Sequence, residues 1–163
     1  MIHEIYKQLT NRLLVECRKF YGDRLVTVCV FGSVGRDTVN PESDIDVLIV
    51  ARALPDGRMR RIREFQSIES RLKADIQAAR KRGGFVEISP VIKSSEEVSQ
   101  GSPLFLDMID DGRLLYDKNG FFKEHLEAFK HRLLAQGAHR VHRGDSWYWV
   151  LKEPYTPGEE IRL

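Results

Sequence analysis

The stretch from Val26 to Val50, VTVCVFGSVGRDTVNPESDIDVLIV, limits what this chain can become more than any other. It holds two apolar, β-branched runs, Val26 to Phe31 and Ile45 to Val50. Glycine punctuates the first run and a polar, proline-containing connection separates it from the second. Continuous apolar runs of this length between turn signals predict strands buried on both faces. The second run opens on two acids, Asp44 and Asp46. Carboxylates at the mouth of a buried strand are costly unless a cation meets them. Alternation along a strand sends Asp44 and Asp46 to the same side and Ile45 to the other, into apolar packing. Two like charges that close raise a pKa unless a cation holds both ionised. Hard oxygen donors of this kind suit Mg²⁺ or Mn²⁺. Gly32 permits close backbone approach to a ligand. Ser33 adds a hydroxyl, and the N–H groups that follow can form an anion nest. A phosphate cradle facing paired carboxylates fits phosphate-ester chemistry, in which two metals about 3.5–4 Å apart serve triphosphate and attacking oxygen.

Gly32-Ser33, Arg36 and Ser43-Asp44-Ile45-Asp46 resemble the signature of the polymerase-beta superfamily of nucleotidyltransferases, and most of all its small stand-alone "minimal" members. Asp37 stands where a second glycine is usual, so the loop is expected to differ in its phosphate-cradling detail. The resemblance implies an α/β (α+β) fold of the polymerase-beta type: a small mixed sheet flanked by helices, here with a C-terminal helix and β-hairpin extension. It implies a nucleotidyltransferase domain over residues 1–117 and the packed extension over 118–163. It implies transfer of a nucleoside monophosphate, AMP from ATP, to an acceptor hydroxyl with release of pyrophosphate. Asp44, Asp46 and Glu87 are the expected metal-binding and catalytic carboxylates, with Glu87 also the base for the acceptor hydroxyl. Gly32, Ser33, Arg36 and Ser43 are the expected nucleotide-binding residues, and Mg²⁺ or Mn²⁺ the cofactor. Relatives of this kind often pair with a HEPN-type helical toxin. The alternative is therefore an antitoxin-like binding module that neutralises such a partner by contact or by adenylylation.

The chain has 163 residues, 42% hydrophobic and 31% charged, which describes one ordinary globular domain. A net charge of +2 argues against a strongly basic nucleic-acid binder. The only hint of nucleic acid is the cluster Arg58, Arg60, Arg61 and Arg63, which also reads as a solvated helix face. No run approaches a membrane span, and MIHEIYKQLT lacks the regions of a signal peptide, so a cytoplasmic location is expected. A homo-oligomer stays open. Cys17 and Cys29 read as reduced core thiols.

Apolar periodicity predicts helices over Ile2 to Tyr21, Arg58 to Arg82 and Lys118 to Gln136. Ser94 to Glu97 reads as a helix start and Pro103 as the first residue of a short helix. In that helix Asp107, Asp110 and Asp111 are expected to be solvated. Phe85 to Ile92 predicts a third strand, its end at a sheet edge because of Pro90. Val86-Glu87-Ile88 carries the acid in an apolar setting. Arg113 to Tyr116 predicts a fourth strand. Arg140 to Arg143 with Trp147 to Leu151 predicts a hairpin with aromatics on both faces. Arg36 is expected beside phosphate or as a partner of Asp37, and Ser43 as a turn residue that orients the acids.

Overall fold

The computed structural model describes residues 1–163. Four strands form one mixed sheet: β1 (Leu25–Phe31), β2 (Ile45–Ala51), β3 (Ile88–Lys93) and β4 (Arg113–Asp117), in the order β3-β2-β1-β4. The two apolar runs occupy its centre. β1 is antiparallel to both β2 and β4, while β3 runs parallel to β2. Every residue of β1 is buried, as a strand covered on both faces must be.

Two helices cover one face, α1 (Ile2–Tyr21) and α3 (Arg58–Lys81). Ile5, Leu9 and Leu13 of α1 and Phe65, Ile68 and Leu72 of α3 pack on Val28, Val30, Ile45, Val47 and Ile49. Glu16 interrupts the α1 stripe, and Lys19 and Arg12, at 3.2 Å each, and Arg71 of α3, at 3.5 Å, surround its carboxylate. The opposite face carries Cys29, Phe31, Leu48 and Val50. It is covered by α4 (Ser95–Ser99), a 3-10 turn over Pro103–Asp107, and α5 (Phe121–Ala135). Phe105, Met108, Phe122 and Phe129 fill the space between, so the segment after residue 117 shares this core. The hairpin of β5 (His139–Arg143) and β6 (Ser146–Val150) closes the chain. Trp149 leans on the second core, while Tyr148 between the tryptophans is half exposed. Cys17 and Cys29 are free and buried, and burial pushes each thiol up to about 12. No helix is long and apolar enough to cross a membrane.

Three expectations shift. The third strand begins at Ile88 rather than Phe85, because β2 offers a ladder partner only from Ile45 onward. The preceding residues still run alongside: Phe85 N–H donates to Pro41 C=O at 2.6 Å and Ile45 N–H to Glu87 C=O at 2.8 Å. The last helix begins at Phe121, because Asn119 and Gly120 hold left-handed φ values of 55° and 67°. The arginine cluster divides. Arg61 is an internal tie, donating to Pro55 C=O at 3.0 Å, to Ile92 C=O at 3.3 Å and to Glu97 at 2.7 Å, while Arg58, Arg60 and Arg63 are exposed. That tie covers a carbonyl of the edge strand, where Pro90 already lacks an N–H.

Asp117 fixes α5 to the sheet. Its carboxylate accepts the Phe122 and Lys123 N–H groups at 3.0 and 2.9 Å and the hydroxyl of fully buried Thr27 at 2.7 Å. Asp117→Ala removes the cap and strands that hydroxyl. We expect it to lower unfolding free energy by about 2–4 kcal/mol in denaturant titration. Adding Thr27→Val should recover part of the loss, since the buried donor is then gone.

Candidate active site

The site forms where β1 ends and β2 begins. After Phe31 the chain turns at Gly32, whose φ of 62° is left-handed. It then winds into a single helical turn, α2 (Gly32–Gly35). Phe31 and Asp46 are partners across the β1–β2 ladder, which sets Asp46 directly beside that turn. A Cβ on Gly32 would lie 2.5 Å from Asp46 Oδ2, so the carboxylate rests against bare backbone. Gly35 is also required: a Cβ there would collide with the Asp111 carbonyl. The short helix is thereby wedged between Asp46 and the turn at Asp111.

The two acids differ in setting. Asp44 is exposed just ahead of β2; Asp46 is half-buried within it, on the face of Leu48 and Val50. Ile45 between them is fully buried in the opposite core, as alternation requires. Burial raises the Asp46 carboxyl above the ordinary carboxylate range, and the charge of Asp44 raises it further. Arg36 pulls the other way, and Asp107 adds a last upward push. Asp46 is therefore short of positive charge. Two adjacent carboxylates, one of them desolvated, against a side-chain-free backbone turn fit a divalent cation held by hard oxygen donors.

Ser43 behaves as a turn residue. Its hydroxyl accepts the Asn40 N–H at 2.9 Å, its own N–H donates to Asn40 C=O at 3.1 Å, and its C=O accepts the Tyr6 hydroxyl. Tyr6 thus ties α1 to the residue preceding the acids. Burial, followed by the Asp44 charge, raises the Tyr6 phenol above its ordinary value. Ser33 is partly exposed on the short helix, and its C=O accepts the Thr38 N–H at 2.9 Å.

Glu87 is not gathered with the aspartates. It is exposed, one residue ahead of β3, and its backbone carbonyl makes the bond to Ile45. The next residue, Ile88, opens the ladder opposite Ile45. No three His, Cys, Asp or Glu side chains converge closely enough to hold a metal ion, so the carboxylate trio expected from the sequence is not drawn together.

Arg36 does not pair with Asp37. Its Nη1 lies 3.9 Å from Asp111 Oδ2, and Asp37 meets His3 Nδ1 at 2.9 Å instead. Two of the acids beyond residue 106 depart from expectation: Asp110 and Asp111 are engaged by Lys130 and Arg140, whereas Asp107 is exposed as expected, its charge felt at Asp46. Nothing in their spacing marked them, because the pairings span about twenty to thirty residues and come from tertiary packing. A cleft of about 270 Å³, bordered by His3, Lys7, Val34, Asp37 and Arg113, opens beside the α2 turn. A larger one of about 420 Å³, with Arg58, Arg61 and Lys93, lies toward the other end of β3. There Lys93 pairs with Val50, whereas Ser89 pairs with Asp46.

Comparison with known proteins identifies a family and several similar proteins. A family model described as a nucleotidyltransferase domain matches residues 11–100. The chain is 27% identical over 132 residues to "Putative protein adenylyltransferase MJ1305" of Methanocaldococcus jannaschii, covering 80% of this chain and 84% of that protein. Among solved structures, a toxin-antitoxin with AMP-PNP is similar at a TM-score of 0.48 and 18% identity, over 78% of this chain and 91% of the other. The toxin-antitoxin MntA-HepT is similar at 0.45 and 16%, over 80% and 92%.

Asp37 has a φ of 59°, the conformation that a glycine at this point of the motif takes without strain. Aspartate is among the few other residues that tolerate it. Asp37→Gly should therefore leave the denaturation midpoint unchanged or slightly higher, the exposed His3 contact being worth little. Asp37→Val should cost about 1–3 kcal/mol.

A second expectation concerns pH. Asp46 in the folded chain titrates above its ordinary 3.8, so its protonated form favours folding. That contribution is fully present below 3.8 and is lost as pH rises through the folded value. Without divalent ions near neutral pH, Asp46→Asn should melt about 1–3 °C above the wild type, and the gain should vanish in acid. Added Mn²⁺ should raise the wild-type Tm and leave Asp46→Asn nearly unmoved.

Proposed function

The chain belongs to the nucleotidyltransferase domain family, and from that membership we propose that Asp44 and Asp46 are its metal-binding carboxylates and that AMP from ATP is the group it transfers. The observation that carries this reading is the placement of Asp46 against the bare backbone of Gly32, beside Asp44 and short of positive charge. A divalent cation, Mg²⁺ or Mn²⁺, when bound there offsets the charge of the triphosphate and of the departing pyrophosphate.

The chain's own residues do the rest. Gly32 keeps the approach to the phosphates free of a side chain. Ser33 and the N–H groups of the short helix meet phosphate oxygens. Arg36, partly exposed beside Asp46, adds a cation that can shift toward the incoming phosphates. Ser43 and Tyr6 hold the backbone that presents Asp44. The acceptor hydroxyl oxygen attacks the α-phosphorus, the bond from that phosphorus to the bridging oxygen breaks, and pyrophosphate departs with its electron pair. Glu87, exposed one residue ahead of β3, takes the hydroxyl proton. Glu87 is also the third carboxylate we propose beside the cation, although no three acids converge in the structure. Catalysis of this kind is positioning and charge stabilisation.

The name of the archaeal relative supports a protein as acceptor. A HEPN-type helical protein, implied by the family resemblance, is the acceptor we propose to offer first. The test is incubation of the chain with α-labelled ATP, Mg²⁺ or Mn²⁺, and candidate protein and RNA acceptors. Asp44→Asn and Asp46→Asn should each reduce label transfer by about 100-fold or more while the far-ultraviolet spectrum stays native. Glu87→Gln should lower transfer and leave nucleotide affinity unchanged. Wild-type transfer by Asp46→Asn would overturn the reading.

A further inference from the structure

Beyond the matched residues 11–100 lies a cluster of charges that reaches back to the catalytic turn. Asp110 and Asp111 sit together at the turn before β4. Arg140 of β5 spans them, with Nη1 3.1 Å from Asp110 Oδ2 and Nη2 3.4 Å from Asp111 Oδ2. Lys130 of α5 meets the other Asp110 oxygen at 3.1 Å. Two carboxylates are thus balanced by two cations before Arg36 is counted. Arg36 Nη1 lies 3.9 Å from the same Asp111 oxygen that Arg140 holds, outside ordinary hydrogen-bond distance. The Arg36 side chain is 36% exposed, against 17% for both Asp111 and Arg140. Arg140 is also fixed from its other side, with its guanidinium 3.9 Å from the Trp147 ring centroid.

The backbone places these groups in range without leaving the contact to chance. Gly35 packs so closely on the Asp111 carbonyl that no side chain fits between, which puts Arg36 one residue from that contact. Its guanidinium thus lies 3.9 Å from Asp111 while its charge is also felt at Asp46.

We propose that Arg140 is a positioning residue of the nucleotide site: by engaging Asp111 it keeps that carboxylate from capturing Arg36, whose charge stays available to the triphosphate. The inference rests on the reading of Gly32 to Asp46 as that site. It gives the C-terminal hairpin a role in the reaction, with Trp147 steadying the guanidinium that does the balancing. Without Arg140 the Asp111 carboxylate loses its closer partner, and Arg36 is the cation at hand to replace it. The two would close into a direct pair, and phosphate would have to compete for the same guanidinium.

The sign of each variant follows. Binding of a non-hydrolysable ATP analogue with Mn²⁺ is measured by calorimetry on the full chain. Arg140→Gln should bind about fivefold more weakly, the scale of a partly exposed ion pair. Arg140→Lys, which keeps the charge, should stay close to wild type. Asp111→Asn should bind at least as tightly as wild type. The double variant Arg140→Gln/Asp111→Asn should recover wild-type affinity, because no carboxylate is left to capture Arg36. A merely structural ion pair predicts the reverse, with the double variant no better than Arg140→Gln. A second readout needs no nucleotide: the rate at which phenylglyoxal modifies Arg36, located by mass spectrometry. It should slow in Arg140→Gln and recover in the double variant. If the wild type binds no nucleotide, the site reading falls, and the phenylglyoxal rates still decide whether Asp111 captures Arg36. Wild-type affinity in Arg140→Gln, a double variant as weak as the single, or an unchanged Arg36 rate would each overturn the proposal.

Discussion

The repulsion between Asp44 and Asp46 sets the terms for the rest of the molecule. A strand as apolar as β2 would be more stable with uncharged residues at its mouth. The chain instead presses one carboxylate against the Gly32 backbone, with the second two residues earlier. Holding that arrangement takes rigidity on every side. β1 and β3 flank β2 in opposite senses, two cores grip its alternate residues, and Tyr6 of α1 anchors Ser43. Fully buried Ile45, between the two acids, keeps them from turning away from each other without exposing apolar surface.

Around that pair the charges are arranged in graded order. Asp46 is opposed by Arg36, and Arg36 is approached on its far side by Asp111. Asp111 is answered by Arg140, and Arg140 is held by Asp110 and Trp147. Exposure falls from Arg36 to Arg140. The outer members have close partners, while Arg36, nearest the aspartates, has its nearest carboxylate 3.9 Å away. The site we propose for a triphosphate is served by this gradient, in which well-held groups set the field and one less committed cation is open to the ligand.

What the sequence disclosed and what it hid divide along the range of the interactions. α1, β1, β2, α3 and the hairpin were legible because each is written in local periodicity, and the boundaries at Ile2–Tyr21 and Ile45 agree with the structure. The Gly32-to-Asp46 motif was legible for the same reason, since β1, one turn and β2 bring its parts together. The break at Asn119-Gly120 was missed because a capping acid at Asp117, which serves Phe122 and Lys123, is set by the sheet rather than by helix propensity. Glu87 meets β2 through its backbone carbonyl, which accepts the Ile45 N–H, a neighbourhood that does not fix the reach of its carboxylate. The pairing of Asp110 and Asp111 with Lys130 and Arg140 carried no signal, because those partners arrive only when α5 and the hairpin fold back on the second core.

That last dependence bears on how the chain is divided. Residues 118–163 follow the matched region and look like an appendage on the nucleotidyltransferase core. Yet Phe122 and Phe129 fill the same core as Cys29 and Leu48, and Asp117 joins α5 to buried Thr27 in the central strand. An appendage could be lost without disturbing the sheet; this one packs on β1 and β4 and contributes apolar side chains to the core that also takes Leu48 and Val50. Its ionic contacts then extend from that packing to the turn that holds Arg36. Core and charge network are two layers of one arrangement: burial places the hairpin, and the hairpin places Arg140 where a single carboxylate, Asp111, lies between it and Arg36.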